Sequence, residues 1–259
     1  MNIYDVANSH KSIRKFKKSD VSNDLLKKIA ENSIKGTSSS GNMQTFSIII
    51  TKDEELKKEL YPLHFNQEMV LEAPVLVTFC SDFSRMRKWL EINEAKENFD
   101  NFMSFMIGSI DATLVSQTFA LLAESEGLGI CYMGTTLANC KKIGKLLNLP
   151  QNVVPVVGFV LGYPDEEPSN RDRLPLEGLV HFEKYNNHSK EEISEIYKER
   201  EEKGWDRYMS IPELKKLVEE NKVNNLAQIY TTIKYTKESH IEYSNTVLNY
   251  LKEQNFFNN

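Results

Sequence analysis

The chain has 259 residues, 40% hydrophobic and 27% charged, which excludes a disordered or collagen-like polypeptide. Its 32 basic and 37 acidic residues give a net charge of −5, so non-specific binding to nucleic acid is not expected. Cys80, Cys131 and Cys140 are an odd, sparse set that points to reduced thiols in a cytoplasm, and no apolar run reaches the ~18 residues of a membrane span.

In chain order, a first helix and a basic segment lead to a helix capped by Ser22 or Asn23. That helix runs through Leu25, Leu26, Ile29 and Ile34 and stops at Gly36. Thr37-Ser38-Ser39-Ser40-Gly41 reads as a loop, and Phe46–Thr51 as a buried β-branched strand. A short charged helix over 53–60 precedes a core strand over 74–80, opened by Pro74, and a helix over 82–91. From Met103 to Glu126, Ile107, Ile110, Leu114, Val115, Leu121 and Leu122 recur at helical spacing with apolar residues between them, the mark of a central helix that Gly127 ends. A strand or turn over 129–134, a helix over 139–147 and a strand over 153–161 complete the pattern. From 190 to 222 Glu and Lys dominate, which fits exposed helices, and 226–256 recovers periodicity through Ile233, Val247, Leu248 and Leu251. We therefore expect an α+β core over 1–185 and a helical C-terminal extension over 186–259, whose own core is too small to stand alone.

Four segments have the composition of a ligand site. His10-Lys11-Ser12-Ile13-Arg14-Lys15-Phe16-Lys17-Lys18 packs five Lys or Arg and a histidine into nine residues. It reads either as an anion site, with Arg14 gripping a phosphate bidentately, or as a solvated basic face. Thr37 to Gln44 offers consecutive hydroxyls for a ribityl chain or phosphate and an amide for a heterocyclic edge, or is a plain serine loop. Gly127-Leu128-Gly129-Ile130-Cys131-Tyr132-Met133-Gly134 resembles GxGxxG only superficially. It ends a helix where a dinucleotide fold needs it to open one, so its glycines either admit a flat ligand or serve a cap and a core strand. Asn170-Arg171-Asp172-Arg173-Leu174-Pro175 sets two arginines two residues apart, as anion donors or as part of an exposed loop.

There is no HExxH, paired CxxC, P-loop or GxSxG, and the five histidines give no ligand pair at helical spacing. We assign no metal site and no catalytic side chain. Cys131, in an apolar strand, reads as inert core. Such a chain fits an enzyme whose chemistry belongs to a bound cofactor.

Taken in this order, His10 to Phe16, Thr37-Ser38-Ser39-Ser40 through Gln44, Gln67, Tyr132-Met133-Gly134 and Arg171 to Pro175 resemble the flavin-dependent nitroreductase family. The resemblance is to its branch of NADPH-dependent nitroreductases and flavin reductases with a long C-terminal arm, and covers residues 1 to about 185. It implies an α+β fold with a mixed sheet flanked by helices, a homodimer, and FMN at the subunit interface. By that similarity His10, Lys11, Ser12 and Arg14 lie at the FMN phosphate and pyrimidine side. Arg173 grips the phosphate and Arg171 approaches the flavin oxygens. Ser38, Ser39, Ser40 and Gln44 meet ribityl and ring atoms, and Gln67 the ring edge. Tyr132, Met133 and Gly134 supply backbone near N5.

The implied activity is a ping-pong oxidoreductase passing hydride from NAD(P)H through flavin N5 to nitroaromatics, quinones or free flavin. The alternative is a non-catalytic flavin-binding redox sensor or partner-dependent subunit. Two positions depart from the branch. Thr135 stands where a second glycine often follows Gly134, and Asn224 to Tyr230 carries no arginine where the branch holds the 2′-phosphate of NADPH.

Overall fold

The structure is a computed structural model that describes residues 2–258. It contains two units, Met1–Ser169 with Tyr243–Asn259, and Asn170–Glu242.

In the first unit α1 (Ile3–Ser9) leads to an extended basic segment and then α2 (Asn23–Gly36), where Ser22 Oγ accepts the Leu25 N–H at 3.2 Å as the expected cap. β1 (Phe46–Thr51), α3 (Glu54–Leu63) and α4 (Met69–Glu72) follow, then β2 (Val75–Asp82) and α5 (Ser84–Ile92). α6 (Phe102–Ser125) leads to β3 (Gly129–Tyr132), α7 (Thr135–Ala138), α8 (Cys140–Leu146) and β4 (Val153–Gly162). The expected helix over 139–147 is α8, and the one-turn helices α4 and α7 and a 3-10 turn over Ser40–Asn42 are additions to the expected elements. Each is a single turn, too short to leave a periodic trace.

The strands form one sheet in the order β1-β2-β4-β3. The sheet was expected to be mixed. Its named strands pair antiparallel throughout, and among the described residues parallel pairing enters at one isolated bridge, Ser12 to Ile130. β2 is buried along its whole length, as its unbroken apolar run requires of a central strand.

One core cluster packs Val75, Val77, Phe79, Phe159 and Leu161 of the sheet against Ala112, Val115, Phe119 and Ala123 of α6. Contrary to expectation, α6 is by length and composition apolar enough to cross a membrane. Its only acidic residues are Asp111 and Glu124, and it has no Lys or Arg. Ten of its residues, Asp111 among them, are buried within the protein. Gly127, at φ 79°, ends it as expected.

The second unit holds α9 (Lys190–Ser210), α10 (Pro212–Glu220), α11 (Leu226–Ile229) and a π-helical turn over Tyr230–Lys234. Its helices expose their Glu and Lys as expected, yet Tyr208, Val218, Val223, Leu226 and Ile229 close a small core. α12 (Lys237–Glu253) begins in this unit, and from Tyr243 onward belongs to the first. There Tyr250, Leu251 and Phe256 pack with Phe83, Phe105, Cys140 and Val154.

Candidate functional site

The basic segment is held along the sheet by backbone pairing. The Ile13 N–H donates to Ile130 O at 2.9 Å, and Phe16 bridges Pro164. The approach is close because residue 129 is glycine: a Cβ there would stand 2.6 Å from Ile13 Cγ1 and 3.0 Å from Pro164 Cγ. This glycine thus serves a close contact between two segments of the same chain. Glu166 completes the fixation, its Oε1 accepting the N–H groups of Arg14 at 2.5 Å and Lys15 at 3.1 Å. Two consecutive backbone N–H groups converging on one oxyanion form an anion-binding arrangement in miniature.

The side chains of this segment divide their duties. Lys11 pairs with Glu167, and His10 Nδ1 lies 2.6 Å from Glu124 Oε1 at the end of α6. Arg14 is exposed, with Nη1 reaching Ser12 O at 3.4 Å. Burial pushes the Cys131 thiol up, while the charge of Arg14 and a hydrogen bond with Ser12 pull the other way. Arg14 and Ser12 therefore stand beside the strand carrying Cys131 and Tyr132. Cys131 itself is buried, as expected of inert core.

Tyr132 packs edge-on against Phe159 and donates its hydroxyl to Ser116 Oγ on α6 at 3.2 Å. Burial raises its phenol to about 12. The Met133 N–H donates to Gly158 O at 2.8 Å, and a Cβ on Gly134 would meet nothing within 4 Å among the described residues, so that backbone borders open space. His64 links this turn to Gln67: its Nδ1 is 2.8 Å from Thr135 Oγ1, and its carbonyl accepts Gln67 Nε2 at 2.9 Å. His64 is buried, its Nε2 has no partner among the described residues, and burial lowers its pKa to about 4. The structure thus brings together His10, Lys11, Ser12, Arg14, Gln67, Tyr132, Met133 and Gly134, strung along β3 and the turn after it.

The hydroxyl-rich loop forms a second cluster, held by α6. Ser39 Oγ donates to Asp111 Oδ2 at 2.7 Å, and the Ser40 N–H and hydroxyl donate to Asp111 Oδ1 at 3.0 and 3.3 Å. Ser38 and Gln44 are exposed, and Gln44 Nε2 donates to Asn42 Oδ1 at 3.2 Å. Arg171 and Arg173 belong to the second unit. There Arg173 Nη1 donates to the carbonyls of Arg171 and Asp172 at 3.2 and 3.1 Å, and the Asp172 carboxylate pairs with Arg200 at 2.8 Å. A cavity of about 730 Å³ in that unit is lined by Leu176, Val180, His181, Phe182, His188 and Ile196 among others, and by none of the sequence-assigned site residues.

Sequence reasoning missed Asp111, His64 and Glu166. Asp111 left a legible signal, a carboxylate in the middle of an apolar helix, whereas His64 and Glu166 left none.

Residues 7–163 match the nitroreductase family. A Staphylococcus haemolyticus protein named NADPH-dependent oxidoreductase is 34% identical over 215 residues, 76% of this chain and 84% of that one. Bacillus subtilis FMN reductase [NAD(P)H] is 34% identical over 180 residues, 69% of this chain and 72% of its own. The crystal structure of a Bacteroides fragilis protein superposes with a TM-score of 0.89 at 40% identity, covering 98% of this chain and 100% of that one.

Proposed function

The chain belongs to the nitroreductase family, and from that premise we propose that it is an FMN-dependent oxidoreductase using NAD(P)H. The observation that carries the reading is the pairing of the basic segment with β3. It joins cationic and hydroxyl donors to a turn whose backbone at Gly134 faces open space.

The donor set fits a phosphorylated, flat heterocycle. Arg14, Lys11, Ser12 and His10 offer charge and hydroxyl to a phosphate and a pyrimidine edge. Arg173 and Arg171, on their own loop, are proposed as further donors to the phosphate and the flavin oxygens. Gln67 offers an amide to the ring edge, and Tyr132, Met133 and Gly134 offer backbone along the ring. Ser38, Ser39, Ser40 and Gln44 are proposed for ribityl and ring contacts. When bound, FMN supplies hydride acceptance from NAD(P)H at N5 and its return to a nitroaromatic, quinone or free flavin in a ping-pong cycle. The residues named here bind and orient. None acts as nucleophile, and the cationic donors favour the negative charge that a reduced ring carries.

We propose a homodimer with FMN at the subunit interface. Met103, Met106, Ile110 and Leu114 are exposed at helical spacing on α6, the same helix whose Asp111 holds the hydroxyl loop. A second copy covering that stripe would lie against the helix that holds the hydroxyl loop.

The test is the visible spectrum of the purified protein, then anaerobic titration with NADH and NADPH. A yellow protein bleached by either donor supports the reading. A yellow protein that resists both points to the alternative, a non-catalytic flavin-binding sensor or partner-dependent subunit, and a colourless protein that takes up no FMN rejects both.

A further inference from the structure

Asp111 is fully buried in the middle of an apolar helix, and it collects donors from one loop. Besides Ser39 and Ser40, the Thr45 hydroxyl donates to its Oδ2 at 3.0 Å and the Thr45 N–H at 3.4 Å. A buried carboxylate without such donors is costly, while charge-assisted hydrogen bonds are about twice as strong as neutral ones. Two more positions on α6 fix the same loop. Thr118 Oγ1 accepts the Thr37 hydroxyl at 2.9 Å, and at Gly108 a Cβ would stand 3.0 Å from Thr45 O and 2.2 Å from Ser81 Oγ. Positions 108, 111 and 118 lie on one helical face.

The loop so held carries strain at Gln44, whose φ of 53° is in the left-handed region that a residue with a Cβ and no local side-chain compensation rarely adopts, while Gly41 and Asn42, at 56° and 54°, occupy that region at little cost. Such strain persists only where the surroundings over-determine it. Here a relay does so: the Gln44 N–H donates to Ser39 Oγ at 2.7 Å, and the Ser39 proton goes to Asp111.

We propose that Asp111 is a positioning residue. It turns the hydroxyl protons of Ser39 and Ser40 inward as loop staples and, through Ser39, presets the exposed Gln44 amide, leaving Ser38 and Gln44 as the loop's contacts to the ring side of a bound flavin. This rests on the flavin reading above, and it narrows the roles given there to Ser39 and Ser40.

The test compares Asp111→Asn with wild type for FMN and for riboflavin, which lacks the phosphate. An asparagine replaces one acceptor oxygen with a donor aimed at hydroxyls. We expect both affinities to fall at least ~10-fold by the same factor, with a changed fine structure of the visible flavin band. The FMN-to-riboflavin affinity ratio should stay as in wild type, because the phosphate donors are untouched. In the ligand-free protein the Gln44 amide should exchange faster. Affinities within about twofold of wild type, or loss of the ratio, would overturn the proposal. Should Asp111→Asn fail to fold, Ser39→Ala must give the same equal losses together with faster Gln44 exchange in the ligand-free protein, which loss of a direct ribityl contact would leave unchanged. If wild type binds neither flavin, the flavin reading fails and Gln44 exchange alone decides: faster exchange in the variant upholds the positioning, and unchanged exchange rejects it.

Discussion

His64 Nδ1 lies 2.8 Å from Thr135 Oγ1, a hydrogen bond between residues 71 positions apart that ties the end of α3 to the turn after β3. Thr135 follows Gly134 directly, and its hydroxyl is engaged with this imidazole. The link matters because both ends carry proposed ring contacts, Gln67 at one and Gly134 at the other.

The burial of His64 makes stability depend on pH. Its pKa is lowered from an ordinary 6.5 to about 4, so the unfolded chain takes up a proton that the folded chain refuses. The contribution of the neutral imidazole is fully present above pH 6.5 and is lost as pH falls towards 4. The loss amounts to about 3 kcal/mol across that window. Urea unfolding at pH 7 and pH 5 should show a lower midpoint at pH 5. His64→Asn should flatten that difference, and an equally steep decline in the variant would assign it to other groups.

Arg173→Ala should purify partly without FMN. A charge-assisted hydrogen bond contributes about 1.5–3 kcal/mol, so the affinity should fall about 10- to 100-fold. Fluorescence titration of the stripped protein measures this, and Arg14→Ala should behave alike. Full occupancy with unchanged affinity would remove these arginines from the phosphate site.

Gly129→Ala should destabilise the protein by about 1–3 kcal/mol, because its new methyl group meets Ile13 Cγ1 at 2.6 Å and the neighbouring strands leave little room to shift. Displacing Ile13 also moves Ser12 and Arg14, so FMN affinity should drop with stability. Thermal unfolding and FMN titration on one preparation check both. A stable variant with weaker binding would show that the segment yields without cost.

The stripe on α6 gives an expectation for assembly. Ile110 is 51% exposed, and a charge at such an apolar contact is costly when covered. Sedimentation velocity should find wild type as a dimer and Ile110→Glu shifted to monomer with weakened FMN binding. A dimer unaffected by the substitution would place the interface elsewhere.

The elements are legible in the sequence where the signal is local. Ser22 caps α2, Gly127 ends α6, and the β-branched runs became β1, β2 and β4, because caps, left-handed glycines and alternation act within a few residues. The basic segment and the serine loop were also legible as compositions. What they touch was not. Glu166 reaches Arg14 across 152 residues, and Asp111 reaches Ser39 across 72.

Sequence alone determined the strands, the central helix, the family and the residue types available to a ligand, since these follow from periodicity and from short motifs in order. Only the tertiary structure decided which of those residues remain free to meet one. Ser39 and Ser40 turn inward to a buried carboxylate while Ser38 stays exposed, and Thr135 is held by His64. The reason is physical: a buried polar group must find a partner, and the partner is set by which surfaces the folded chain presses together, a relation that no local pattern in the sequence records.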